Sequence, residues 1–119
     1  MADEPRPEAL LPLQAATFHI LMALSEGDLY GYAIIQHAST RTNGDVKLSA
    51  GTLYRSIQRM LDQELIEELL DRPAPEEDDE RRRYYRITTF GRAVARAEAA
   101  RLAELVKLAR ASGLVPRRT

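Results

Sequence analysis

Residues 49–68, SAGTLYRSIQRMLDQELIEE, and residues 82–91, RRYYRITTFG, constrain the fold more than any other part of the chain. Leu53, Ile57, Met60 and Leu61 recur at i, i+4, i+7 and i+8, the spacing that gathers apolar side chains on one face of a helix. At about 100° per residue, the opposite side carries Gly51, Arg55, Gln58, Arg59 and Asp62. Two strand-like runs follow, 65–71 and 82–88, bracketing a loop at 72–81. A helix that buries one side, shows arginines on the other and leads into a two-stranded ribbon is the recognition half of a winged helix-turn-helix. The predicted fold class is therefore mainly α with a small β-wing.

The remaining residues read as scaffold. Residues 13–25 form a first helix with Leu13, Thr17, Ile20, Leu21 and Leu24 on one face. Ala15, Phe18 and Met22 make its other side apolar as well, so this helix should be covered on two sides. Gly27-Asp28 marks a turn, and residues 30–42 form a second helix with Ala33, Ile34 and Ala38 inward. Asn43-Gly44 ends it with residues that tolerate positive φ, and Ser49 is a good N-cap for the third helix over 49–63. Tyr85 and Ile87 alternate with Tyr84 and Arg86, the period of a half-buried strand. Thr88 or Thr89 then caps a last helix, 89–111, that Gly113 stops.

That last helix would span roughly 34 Å, longer than one small domain needs. Leu102, Leu105, Val106 and Ala109 form a stripe suited to helix packing, and alanines elsewhere permit close approach. A helix folded back on its own domain is one reading. The better one is a homodimer in which this stripe meets Ala15, Phe18 and Met22 of a second copy.

Length and composition set limits. A chain of 119 residues suits one small domain, since it buries only about two-thirds of its unfolded surface. The expected organisation is a flexible or disordered arm at 1–12, a winged-helix domain at 13–88, a dimerisation helix at 89–112 and a flexible tail at 113–119. No apolar run approaches the ~20 residues of a membrane span. The first twelve residues lack the basic and apolar regions of a signal peptide, so a cytoplasmic protein is expected. With no cysteine there is no disulfide or thiolate chemistry. His19 and His37 fall on different helices and suggest neither a ligand pair nor a base. Glu76, Glu77, Asp78, Asp79 and Glu80 lack the alternating ligands and turn glycine of a calcium loop. No catalytic constellation, metal site or cofactor motif emerges, and the chain is not expected to be an enzyme.

The net charge of −1 conceals a strong asymmetry. Residues 64–80 carry Arg72 against nine acids, whereas residues 81–119 carry eleven basic and two acidic groups. Between Val46 and Met60 every charge is positive: Lys47, Arg55 and Arg59. Such a distribution fits double-stranded DNA as partner. Arg55 and Arg59 are expected to reach bases or phosphates, and Lys47 a phosphate. Ser49, Gly51 and Thr52 stand at a helix N-terminus that favours a phosphate, and Tyr54 could offer its hydroxyl. In the wing, Arg82, Arg83 and Arg86 should meet the DNA backbone while the acidic tip stays clear of it.

Three segments, HILMALSEGDLYGYAI (19–34), GTLYRSIQRMLDQELIEE (51–68) and RRRYYRITTFGR (81–92), carry a resemblance to the PadR family of transcriptional regulators. The resemblance spans roughly residues 10–115 with matched order and spacing. Two positions depart from it: Tyr30 stands where the family often has His before Gly-Tyr, and Glu64 where it usually has Gly. The resemblance implies a sequence-specific regulator that binds a palindromic operator as a dimer, a repressor by sign, with a small aromatic effector as a candidate partner. A winged-helix module that meets an acidic protein instead of DNA is the alternative. An enzyme built on the acidic run lacks a partnered base.

Overall fold

The computed structural model describes residues 6–69 and 83–116. A 3-10 turn, Pro7–Leu10, precedes helix α1 (Ala15–Ser25), strand β1 (Leu29–Tyr30), helix α2 (Gly31–Arg41) and helix α3 (Ala50–Asp62). The strands β2 (Ile66–Glu68) and β3 (Tyr84–Ile87) and the long helix α4 (Thr89–Ala111) complete the order. Its β3 lies between β1 and β2, and both pairings are antiparallel.

The core is one cluster shared by all the helices and the sheet. Ile20, Leu21 and Leu24 of α1 meet Ile34 of α2, Leu53, Ile57 and Met60 of α3, and Val94 of α4. Tyr85 and Ile87 of β3 point into the same cluster while Arg86 points out, the alternation a half-buried strand requires. Two glycines let elements approach. A Cβ at Gly91 would collide with the carbonyl of Leu65, so only glycine lets the first turn of α4 lie on the chain entering β2. At Gly31, a Cβ would collide with the hydroxyl of Tyr54, which therefore rests on the first turn of α2.

Helix ends follow local chemistry. The Ser49 hydroxyl accepts from the Thr52 backbone N–H at 3.1 Å, as predicted, and of the two candidate threonines Thr88 caps α4, its hydroxyl accepting from the Gly91 N–H at 2.8 Å. Asn43 (φ 54°), Gly44 (φ 84°) and Gly113 (φ 78°) end their helices in the left-handed region. Glu64 takes φ 61° where the chain turns out of α3 toward β2.

Several expectations need correction. Within the arm expected at 1–12, residues 7–10 form a turn that packs on α4, and Leu10 and Leu11 lie against the core. Helix α1 begins two residues later than expected, at Ala15. Of the inward residues expected on α2, Ile34 and Ala38 are buried but Ala33 only half so. Strand β1 was not expected at all, since two residues are too few to show a period. The wing strands are shorter than read, although the Leu69 N–H still bonds the Tyr84 carbonyl at 2.8 Å. The loop with Arg81, Arg82 and the acidic run lies outside the described residues.

Candidate nucleic-acid interface

The buried face of α3 consists of Leu53, Ser56, Ile57 and Met60, which turns Gly51, Tyr54, Arg55, Gln58, Arg59 and Asp62 to the surface. Lys47 and Ser49 are exposed just ahead of the helix and Thr52 is half-exposed. An open groove of about 490 Å³ runs between α3 and the ribbon, with Tyr54, Gln58, Glu68 and Arg83 on its walls. Helix and wing therefore share one solvent-facing side.

Each cation of this surface has a distinct setting. The Arg55 guanidinium folds back over the first turn of its own helix, where a Cβ at Gly51 would lie 3.2 Å from its Nη1. A cation held near the positive end of a helix dipole gains from a phosphate placed between them. Arg59 donates to the side-chain oxygen of Gln14 at 2.8 Å, which ties it to the start of α1 at the far end of α3. Arg83 lies 3.9 Å from Glu68. Arg86 donates to Asp28 at 3.2 Å, and this carboxylate raises its already high pKa. Both wing arginines in the described residues thus face acids of the protein itself. The pairs are exposed, and such pairs contribute little to stability.

Sequence reasoning missed Asp28 and Gln14 as partners. Asp28 precedes β1, and the register Leu29 to Tyr85 brings the next pair along, Asp28 and Arg86, side by side. Without β1 that register has no signal. Glu98 was missed too. It is only 2% exposed, yet its carboxylate accepts from Arg101 at 2.6 and 3.0 Å and from the Leu13 backbone N–H at 3.1 Å. The Arg101 hydrogen bonds, with help from Leu13, hold its pKa below the usual carboxylate value despite burial.

The residues expected at a dimer seam remain open in the monomer. Leu105 and Val106 are 47% and 45% exposed, and Leu102 and Ala109 are half-buried. On α1, Ala15 is exposed, and Phe18 and Met22 are half-buried. Arg82 lies outside the described residues. Among the described residues no group of three or more His, Asp and Glu side chains could hold a metal ion, and no helix is long and apolar enough to cross a membrane.

A capped, arginine-bearing helix beside an antiparallel ribbon, carried on α1 and α2, defines a winged-helix protein. The chain belongs to the PadR-like family of transcriptional regulators, whose family model matches residues 20–97. Members of this family are transcription regulators and not enzymes. A Lysinibacillus sphaericus protein, described as uncharacterized protein X, is 40% identical over 88 residues, covering 74% of this chain and 72% of that protein. A transcriptional regulator from Clostridium thermocellum superposes with a TM-score of 0.68 at 26% identity, over 80% of this chain and 86% of that one. A PadR family transcription regulator from Clostridium difficile matches with a TM-score of 0.67 at 24% identity, over 82% of this chain and 96% of that one, a likeness of fold.

Proposed function

We propose that this regulator binds a palindromic operator as a homodimer, with α3 in the major groove and the wing on the flanking backbone, and that it acts as a repressor. The observation that carries this reading is the outer face of α3. Arg55 and its glycine-lined first turn stand open to solvent, with Lys47 and the Ser49 cap beside them. Lys47, Ser49, Gly51, Thr52 and Tyr54 approach phosphates in this arrangement, and Arg55 a base edge or phosphate. Arg59, tied to Gln14, serves the edge of the surface. Arg82, Arg83 and Arg86 meet the backbone, Arg83 and Arg86 after exchanging their acids for phosphates.

One short helix reads too few bases to find a site alone. Two related by a dyad enter successive major grooves about 34–36 Å apart. The partly exposed stripe of Leu102, Leu105, Val106 and Ala109, with Ala15, Phe18 and Met22, supplies the apolar surface such a pair would bury. A small aromatic effector belongs beside that seam. A groove of about 180 Å³ between α1 and α2, bordered by His19, Met22 and His37, lies there. It is smaller than the roughly 300–1,000 Å³ of ordinary ligand sites, so a second subunit would have to complete it. A cytoplasmic location accords with this function.

Titrating the protein onto the duplex upstream of its own gene, across a salt series, tests the reading. Several phosphate contacts give a log–log slope of about −0.9 per contact and tighter binding than to a scrambled duplex. Equal, salt-insensitive affinity for both would favour the protein-interaction module instead.

A further inference from the structure

We propose that Glu98 is a positioning residue: by anchoring α4 to the chain at Leu13, it fixes the direction in which this helix leaves the winged-helix domain. With that direction it sets the separation of the two recognition helices, a role that rests on the dimeric reading above.

Helix α4 buries Gly91, Val94 and Glu98, one residue per turn, against its own domain. Beyond Glu98 no residue of α4 is buried. Glu98 is therefore the last fixed point before the helix projects, and its carboxylate is the fulcrum. One of its oxygens accepts from the Leu13 N–H and from Arg101 Nη2, the other from Arg101 Nε. Leu13 in turn joins the Pro7–Leu10 turn, which packs on α4, to α1, so the bond ties three elements at one point.

Stability alone does not ask for a carboxylate here. Taking an acid out of water is costly even when it is paired, and apolar replacements of buried ion pairs are often as stable or more so. What an apolar contact lacks is direction. Leucine against leucine can slide, whereas a carboxylate bonded to a backbone N–H fixes both distance and angle. The lever is long, because residues 99–111 extend the helix by about 20 Å past the fulcrum. A tilt of ~10° there moves the helix end by about 3 Å, comparable to the 3.4 Å rise of one base pair.

The chain has no cysteine, so a single Gln36→Cys substitution on the exposed side of α2 accepts one spin label per subunit. Pulsed dipolar spectroscopy on the free dimer then reads the distance between the two domains. The expected result is a narrow distribution for the otherwise wild-type chain. Glu98→Leu, which keeps the bulk but removes the acceptor for the Leu13 N–H, should shift the mean by about 3 Å or clearly broaden it. It should also flatten or move the preference among palindromes whose half-sites differ by one base pair in spacing. A merely structural role would lower the melting temperature and leave distance and spacing preference unchanged, which overturns the proposal while the dimer stands. Should Glu98→Leu fail to fold, Glu98→Asp shortens the side chain and draws the acceptor away from the Leu13 N–H, and an unchanged distribution there overturns the proposal equally. A wild type that sediments as a monomer removes the dimeric reading and this proposal together.

Discussion

The Thr88 hydroxyl donates to the Glu64 carbonyl oxygen at 2.7 Å, so the residue that turns the chain out of α3 and the residue that caps α4 are bonded to each other. The Thr88 N–H adds a bond to the Leu65 carbonyl at 3.0 Å. Glu64 is held by this junction at φ 61°, a conformation that residues with a Cβ seldom adopt. The end of α3 is therefore both strained and tightly tied.

Glu64→Gly should relieve that strain. The left-handed conformation costs roughly 1–2 kcal/mol for a residue with a Cβ, and the extra freedom of glycine in the unfolded chain returns about 0.4–1 kcal/mol. The net gain is expected to raise the melting temperature by a few degrees without changing DNA affinity, because the Glu64 side chain is exposed beyond the end of α3. A lower melting temperature would mean that the Glu64 side chain contributes more than its backbone costs.

The two close-approach glycines should respond differently to alanine. At Gly91 the neighbour is backbone, with the Leu65 carbonyl carbon 2.9 Å from the new Cβ, so neither side can give way. Gly91→Ala should lose at least about 1–3 kcal/mol, the usual cost of overpacking, despite better helix propensity. At Gly31 the principal obstacle is the hydroxyl end of Tyr54, which can swing aside. Gly31→Ala should stay near wild-type stability and instead weaken DNA binding by displacing Tyr54. Urea titrations of both variants, with binding curves for the second, distinguish them. Equal destabilisation would mean that Tyr54 is as fixed as backbone.

How much of this was legible beforehand depended on the length of the pattern. Helix α4 was expected at its observed bounds, and the apolar stripe and cap of α3 were read correctly, because each repeats over several turns. The departure noted at Glu64, where the resembled family usually has Gly, falls on the left-handed turn out of α3. Strand β1 was missed because two residues carry no period, and with it went the Asp28–Arg86 pair. Glu98 stands among alanines, with nothing in the local sequence to mark it as buried. Its burial comes from the Pro7–Leu10 turn folding over α4, a contact between segments more than eighty residues apart, to which no local pattern points.

Acid should expose the Glu98 contribution. Its folded pKa lies below the ordinary value of 4.5, so the unfolded chain takes up the proton first as pH falls. The stabilisation is fully present above that ordinary value and is lost as pH drops through the folded pKa. Thermal melts from pH 6 down to pH 3 should fall more steeply for wild type than for Glu98→Gln. Parallel curves would mean that the carboxylate is not held in its charged form.

The most direct test of DNA reading by α3 is the affinity of Arg55→Ala for an operator duplex and for a scrambled one. Arg55 stands on the exposed face of α3, above the first turn, and its loss leaves the core untouched. A bidentate base contact is worth about 1–3 kcal/mol, so operator binding should weaken roughly 5- to 150-fold while scrambled binding changes less. If the contact is to phosphate, both affinities should fall together and the salt slope shrink by about one. Unchanged affinity for both duplexes, in a variant that melts like wild type, would contradict the placement of this helix on DNA.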